Sequence, residues 1–172
     1  MKKISKPANN IPAFYQHYMN LVPDDENLIL HLRDILAETK KLIENVSEEK
    51  LFYRYAKDKW TIKDLLVHLS DCERVIIYRA MRIARADKTD LPGFDENLFV
   101  TNANANNRQL DSIMNELAAY RASSIAFIET LDEDSLDRTG TANGYPLSAR
   151  LLVNHLYGHH KHHLNIIREK YL

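Results

Sequence analysis

The chain has 172 residues, of which 45% are hydrophobic and 27% are charged, and its net charge is −1. This composition is typical of one globular domain and lacks the clustered basic residues of a nucleic-acid-binding protein. No apolar run approaches the ~20 residues that span a bilayer, no signal-peptide pattern is present, and the single cysteine excludes an intramolecular disulfide. These features predict a cytoplasmic protein that binds neither nucleic acid nor membrane.

Residues 1–23 mix proline, asparagine and aromatic side chains without a sustained period. We expect this segment to be an arm that packs on the domain through its aromatic residues. The main domain is predicted over residues 24–172. Its first helix is expected to begin at Asp24, because the acidic side chains of Asp25 and Glu26 suit the positive end of a helix.

A second long helix is expected after Thr61, where Asp64 completes a variant of the capping box. It is predicted to end near Asp87. The following stretch, residues 88–107, is polar, rich in asparagine and long for a plain connection, which is typical of a functional or disordered loop. Its candidate substrate contacts are Phe94, Asp95 and Asn97.

Two further helices complete the predicted fold. The third is expected from about Arg108 to Leu131, and Ser148 is a suitable N-cap for a fourth. Four long amphipathic helices predict an all-α four-helix bundle with an N-terminal arm and a long loop between the second and third helices. The loops are long enough for one or more connections to cross the bundle.

A cluster of five histidines lies in the fourth helix, in the sequence HLYGHHKHH: His155, His159, His160, His162 and His163. Of these, His155, His159 and His163 repeat every four residues, the spacing that places side chains on one helix face. A neutral imidazole is a common ligand of zinc, nickel, copper and iron, and two of them one turn apart can chelate one ion.

A catalytic zinc-type site needs a third protein ligand as well as an open coordination position. His68 is the candidate, because it is the only histidine of the second helix and lies on that helix's apolar face. A lone histidine there is ordinarily a core residue whose ring nitrogens are hydrogen-bonded within the protein. Two histidines on the inner face of a partner helix favour a shared metal site instead.

The segments KWTIKDLLVHLSDCERVIIYR (59–79) and GHHKHHLNII (158–167) resemble the two histidine-bearing helices of the DinB/YfiT-like superfamily. The resemblance extends over residues 24–172. It implies an up-up-down-down four-helix bundle and a divalent metal ion, zinc or nickel, with water completing the coordination. The metal ligands that it implies fall here on His68, His159 and His163.

The resemblance also implies an activity. Relatives include metal-dependent hydrolases and transferases that attach a low-molecular-weight thiol to an electrophile. We therefore expect an enzyme that acts on a small-molecule substrate by activating water or a thiol at the three-histidine site. Homodimers are common among relatives. Two alternatives stay open: a non-catalytic metal-binding bundle that serves a stress response, and a protein whose histidines bind no metal.

Other side chains near this site are candidates that each have a structural alternative. His155 and Glu73 are candidate acid–base groups, although His155 can also be a further ligand and Glu73 a solvated surface residue. Arg79 and Arg121 lie on otherwise apolar helix stripes. There they can orient an anionic group of a substrate or form structural ion pairs.

The role of the remaining cluster members and of the cysteine depends on how the helices pack. Cys72 follows His68 by one turn, so it can complete a closed four-ligand zinc site. Packing as a small core residue is the more ordinary role of a free cysteine. His160 and His162 are expected at the pocket rim or in solvent, because they lie off the face of His159 and His163.

Overall fold

Helices dominate the computed structural model, which describes residues 2–172. In chain order the elements are α1 (Ala13–Met19), α2 (Leu28–Ile43), α3 (Glu48–Phe52), α4 (Ile62–Ala84), α5 (Glu96–Ala103), a 3₁₀ turn (Ala105–Asn107), α6 (Leu110–Glu129), α7 (Glu133–Asp137), β1 (Thr139–Ala142), β2 (Tyr145–Ser148) and α8 (Ala149–Lys170). The long helices α2, α4, α6 and α8 form the bundle. Met1, the first residue of the predicted arm, lies outside the described residues.

The two helices that carry the histidines begin at the predicted caps. The Asp64 N–H donates to Thr61 Oγ1 at 3.1 Å, and the Thr61 N–H donates to Asp64 Oδ2 at 2.9 Å, which completes the capping box of α4. The Leu151 N–H donates to Ser148 Oγ at 3.0 Å at the start of α8. Both N-caps are confirmed, and they fix where each histidine-bearing helix starts.

The predicted start of the first long helix at Asp24 is wrong, because α2 begins at Leu28. Glu26 has a φ of 62°, which is outside the helical region. Its carbonyl oxygen accepts a hydrogen bond from the Ile4 N–H at 2.9 Å. The residues before α2 are therefore held by a contact with the arm, which overrides the local preference of the acidic residues for a helix start.

Neighbouring helices in the bundle are identified by their contacts: α4 packs against α6 and α8, and α2 packs against the same two helices. His31 of α2 lies beside Tyr157 and Glu38 pairs with Arg168, so α2 and α8 run in the same direction. By contrast, Tyr171 at the end of α8 donates to the carbonyl oxygen of Trp60, just before α4. The helices α4 and α8 are therefore antiparallel.

The direction of α6 completes the topology. Lys63 near the start of α4 donates to the carbonyl oxygen of Arg108 at 2.6 Å, and Arg74 in the middle of α4 pairs with Glu116 of α6. The helices α4 and α6 are therefore parallel, and the order is up-down-down-up. The four-helix bundle is confirmed, whereas the up-up-down-down order of its helices is wrong. The reason is that residues 85–109 form a single crossover, in which α5 packs along α4 back to the end where α4 began.

The arm and a small hairpin close two sides of the bundle. Helix α1 packs against α8, and a Cβ at Gly158 would clash with the carbonyl oxygen of Tyr18, so glycine is required for this close approach. The strands β1 and β2 pair antiparallel around Asn143 and Gly144, whose φ values of 53° and 75° fit a type I′ turn. Across residues 2–172, we find no helix whose length and apolar character would let it cross a membrane.

Candidate metal centre

Three histidines one turn apart line a single face of α8. The rings of His155 and His159 lie 5.5 Å apart between centroids, and those of His159 and His163 lie 4.5 Å apart. All three are buried. The four-residue repeat therefore produces a continuous stripe of imidazoles that faces the interior, as the sequence predicts.

His68 reaches the same stripe from α4. It is buried, and the ring of Trp60, which stands just before the capping box, lies 4.6 Å from the His68 ring between centroids. The antiparallel packing of α4 on α8 places the first third of α4 against the later part of α8. His68 consequently meets His159 and His163 rather than the other members of the histidine cluster.

Nitrogens of His68 and of His163 each lie close to Nε2 of His159. His68 Nε2 lies 3.2 Å from His159 Nε2, and His163 Nε2 lies 3.1 Å from His159 Nε2. The rings of His68 and His163 lie 4.8 Å apart between centroids. Two nitrogens bound to one tetrahedral ion at a usual metal–nitrogen length are about 3.3 Å apart. The nitrogen pairs therefore already lie close to the spacing of donors that share one ion.

The histidines of this site are neutral. Burial lowers the pKa of His68 to about 4. Burial, followed by the neighbouring imidazoles, also lowers the pKa of His159 and of His163 well below the ordinary value. A neutral imidazole keeps a lone pair on one ring nitrogen, which is the form that binds metal. The electrostatics of the site thus favour the ligand form of each ring.

The donor set fits a divalent ion, because neutral imidazole nitrogens are ordinary ligands of zinc and nickel. One feature departs from the usual pattern. His163 Nδ1 is buried without a hydrogen-bond partner among residues 2–172, whereas a ligand histidine normally donates its second N–H to a carboxylate or carbonyl. Packing against Trp60, with ring centroids 6.4 Å apart, orients the His163 ring instead.

The three histidines lie in the wall of a cavity of about 430 Å³ that is partly open to solvent. The arm, the crossover and the hairpin all contribute to it. Its other lining residues are mainly aromatic or polar: Phe14, Tyr15, Tyr18, Trp60, Cys72, Ile76, Arg79, Phe94, Glu96, Asn97, Asn143 and His155. A cavity of this size accommodates a small molecule beside the histidines.

Residues 31–167 match the family model of the DinB superfamily. The chain belongs to the DinB superfamily. Its fold is also similar to that of YfiT from Bacillus subtilis, described as a probable metal-dependent hydrolase with an unusual four-helix bundle topology. The two chains share 17% identity, the match covers 96% of this chain and 91% of YfiT, and the TM-score is 0.76. At that identity the likeness establishes the fold, and no curated protein sequence matches the chain.

Cys72 lies beside the candidate metal ligands of this DinB-superfamily protein. Its Sγ is 3.5 Å from both Nδ1 and Nε2 of His68, and ligand atoms of His68, Cys72 and His159 all lie within 4.8 Å of one another. The two distances are equal because the sulfur packs against the face of the imidazole ring. Burial raises the pKa of the Cys72 thiol, so the thiol is protonated when no metal is bound. A bound ion would favour the thiolate, so a four-ligand site that includes Cys72 stays an alternative.

His155 lies one turn further along the stripe, in an aromatic cage. Its ring is 4.9 Å from that of Tyr15 and 4.6 Å from that of Tyr18, between centroids. Burial lowers the pKa of His155 to about 3, with a smaller contribution from Arg79. His155 is therefore a neutral side chain of the cavity wall, and its Nδ1 is buried without a partner among residues 2–172.

His160 and Glu73 lie elsewhere than predicted, in a second polar cluster on the opposite side of α8. His160 is 1% exposed, and its ring nitrogens lie 2.8 Å from Thr39 Oγ1 and 3.0 Å from Arg121. Glu73, also buried, forms a salt bridge of 2.8 Å with Arg121. The expected exposure of His160 and the solvated alternative for Glu73 are wrong, because α2 and α6 cover this side of the bundle.

The remaining predicted contacts divide between the cavity and other roles. Arg79, Phe94 and Asn97 line the cavity. Arg121 does not, because its guanidinium is bound to Glu73. The Asp95 carboxylate instead accepts from the Leu98 N–H at 2.9 Å and caps α5. Outside the cavity, the half-buried His162 contacts His17 of α1, with Nδ1 and Nε2 3.0 Å apart.

The aromatic contribution of the arm was not predicted as part of the site. Tyr15 and Tyr18 line the cavity, although they are more than 130 residues from His155 along the chain. The sequence feature that points to this role is the concentration of aromatic residues in the arm, which by itself predicts only that the arm packs on the domain. The crossover helix α5 likewise places Glu96 at the cavity.

Proposed function

We propose that this protein is a divalent-metal-dependent enzyme whose ion is held by His68, His159 and His163. The observation that carries the proposal is that His159 Nε2 lies 3.1 Å from His163 Nε2 and 3.2 Å from His68 Nε2, with all three neutral imidazoles in the wall of a partly open cavity. Three ligands and an open side are the arrangement of catalytic rather than structural sites. Zinc and nickel suit an all-imidazole donor set.

We propose hydrolysis as the reaction, with transfer of a low-molecular-weight thiol to an electrophile as the second candidate. A bound divalent ion would lower the pKa of water or of a thiol and would polarise the substrate. The cavity of about 430 Å³ is many times larger than one water, so it leaves room for a thiol beside an electrophile. That space is the observation that keeps the transferase candidate.

The chain's own residues would shape the reaction around that centre. Trp60 covers His68, and Tyr18 packs against both His155 and His159, so these rings exclude water from two sides. His155, whose pKa is lowered to about 3, stays neutral at physiological pH. It would act as a hydrogen-bond partner at Nδ1 rather than as a general base. Glu73 is committed to Arg121 and takes no part in the proposed chemistry.

Metal content tests the site. The purified protein is expected to contain about one zinc or nickel ion per chain by elemental analysis. His68→Ala, His159→Ala and His163→Ala should each lower the affinity a few hundred-fold, since four ligands of a structural zinc site together supply roughly 10–16 kcal/mol. His31→Ala is the matched control, because His31 pairs with Asp25 far from the cavity. Unchanged metal content in the three variants would refute the site.

Turnover tests the reaction. The loaded protein should hydrolyse members of a panel of aryl esters, or couple small thiols to an aryl halide, and a chelator should abolish the activity. X-ray absorption at the metal edge should show nitrogen ligands without sulfur. A metal ion bound by four protein ligands including Cys72, with no turnover on either panel, would instead establish the non-catalytic metal-binding bundle.

A further inference from the structure

Arg79 is a buried cation without a carboxylate partner. Its side chain is 6% exposed, and it forms no salt bridge within residues 2–172. Its one hydrogen bond to the protein is donated from the guanidinium to the carbonyl oxygen of Pro92, at 2.6 Å. Because a guanidinium carries five N–H donors, most of its capacity is unused by the described chain.

The other arginines of α4 show how unusual this is. Arg74 is paired with Asp71 and Glu116, and Arg82 is paired with Asp87. Both are more exposed than Arg79, so water solvates part of their charge and a carboxylate partner is less necessary. Burial lowers the pKa of Arg79, although an arginine remains protonated. Buried charges in proteins are normally paired. The one carboxylate among the residues that line the cavity belongs to the exposed Glu96, which lies beyond salt-bridge distance, so the remaining donors of the guanidinium are open to an added anion.

The free side of Arg79 faces the cavity of the metal centre. Arg79 follows His68 by three helical turns, so both lie on one face of α4, about 16 Å apart along its axis. Side chains of a helix lean toward its N-terminus, which brings the guanidinium toward His68. The Phe94 ring centroid is 5.8 Å from the guanidinium carbon, which gives the cation an aromatic neighbour.

The charge of the cavity limits which anion fits. Arg79 is the one lysine or arginine among the lining residues, and Glu96 adds a carboxylate at the same wall. A phosphate dianion would be opposed by Glu96 and matched by a single cation. A carboxylate carries one charge and binds a guanidinium through two parallel hydrogen bonds. The aromatic lining suits an apolar segment next to that carboxylate.

We propose that Arg79 binds the carboxylate of a monoanionic substrate, whose apolar segment lies between Arg79 and the three histidines. The inference rests on the proposed function for the position of the reacting bond. The contact with the carboxylate itself does not need the metal, so it can be tested separately.

The experiment measures binding of 3-phenylpropionate and of its neutral analogue 3-phenylpropionamide by titration calorimetry, to both zinc-loaded and chelator-treated protein. We expect the acid to bind in the millimolar range or tighter in both forms, and the amide about tenfold to hundredfold more weakly. Arg79→Gln should remove this preference, and Arg79→Lys should retain part of it. Arg74→Gln should leave it unchanged, because Arg74 pairs with Glu116 of α6 and does not line the cavity.

Each alternative outcome has a defined meaning. Equal binding of acid and amide, or no binding of either, overturns the proposal. A preference for the acid that requires zinc and survives Arg79→Gln also overturns it, because the carboxylate would then bind the metal. If the protein takes up no metal, a preference that depends on Arg79 still supports the anion site while the proposed function fails. Circular dichroism verifies that each variant is folded. If Arg79→Gln unfolds, Arg79→Lys is used instead, and an undiminished preference for the acid in that variant would overturn the proposal.

Discussion

His159 and His160 are adjacent in sequence, yet they belong to two polar clusters of opposite character. The cluster around His160 contains Thr39, Arg121 and Glu73, and its charges and hydrogen bonds are matched within the protein. The cluster around His159 contains His68 and His163, whose Nε2 atoms lie 3.2 and 3.1 Å from His159 Nε2. The first cluster combines opposite charges, whereas the second consists of neutral imidazoles.

The difference shows that burial of a histidine does not identify a functional site. All four of these histidines are buried. What distinguishes them is the set of hydrogen-bond partners, since His160 is bound to the hydroxyl of Thr39 and the guanidinium of Arg121, whereas His68, His159 and His163 have one another as neighbours. The same criterion separates Arg121, which is paired, from Arg79, which is not.

Glu73→Gln should have the largest effect on the complete cluster. It keeps the volume of the side chain but leaves the Arg121 guanidinium buried without a countercharge. The free energy of unfolding is therefore expected to fall by about 3–5 kcal/mol in urea denaturation. The control is Glu116→Gln in the more exposed pair with Arg74, where about 1 kcal/mol or less is expected. Similar losses of unfolding free energy in the two variants would show that the buried ion pair is no more important for stability than the exposed one.

The adjacent pair His159→Ala and His160→Ala compares the clusters directly in metal-free protein. His160→Ala should lower the free energy of unfolding by about 2–3 kcal/mol, because it leaves buried donors of Arg121 and Thr39 unpaired. The polar contacts that His159→Ala removes are with other neutral imidazoles, those of His68 and His163, and the site borders an open cavity, so about 1 kcal/mol or less is expected. Equal destabilisation by the two substitutions would contradict the distinction drawn above.

The smallest effect is expected at the start of α4. Thr61→Ala removes the side chain that accepts from the Asp64 N–H, and should cost about 1 kcal/mol of stability. Because His68 lies almost two turns further along α4, metal affinity should change little. The measurements are urea denaturation and a metal titration of the same variant. A loss of metal affinity as large as that of His68→Ala would show that the cap positions the ligand.

Local signals predicted the helices that carry the site. The caps at Thr61 and Ser148 and the four-residue spacing of the histidines act over one or two turns, so they can be recognised without tertiary information. The juxtaposition of His68 with the stripe needed the additional inference that the two helices face each other. The structure brings these three residues together, and their role as ligands stays a prediction.

Features set by tertiary packing were missed. His160 is expected at the pocket rim or in solvent from its position off the face of His159 and His163, but α1, α2 and α4 all pack against α8. The helix order implied by the family resemblance is wrong because, of the connections that the structure describes, only the one over residues 85–109 crosses the bundle. The hairpin of β1 and β2 does have a local signal, since Asn143-Gly144 is a preferred type I′ turn.

The contact of Gly158 with the Tyr18 carbonyl has a consequence for folding kinetics. It brings together segments that are far apart along the chain, as the separation of 145 residues between His17 and His162 also illustrates. Closing so large a loop costs chain entropy before any contact is gained, so the arm is expected to dock after α4 and α8 have paired. The histidines would then meet early in folding, while the tyrosine side of the cavity closes last.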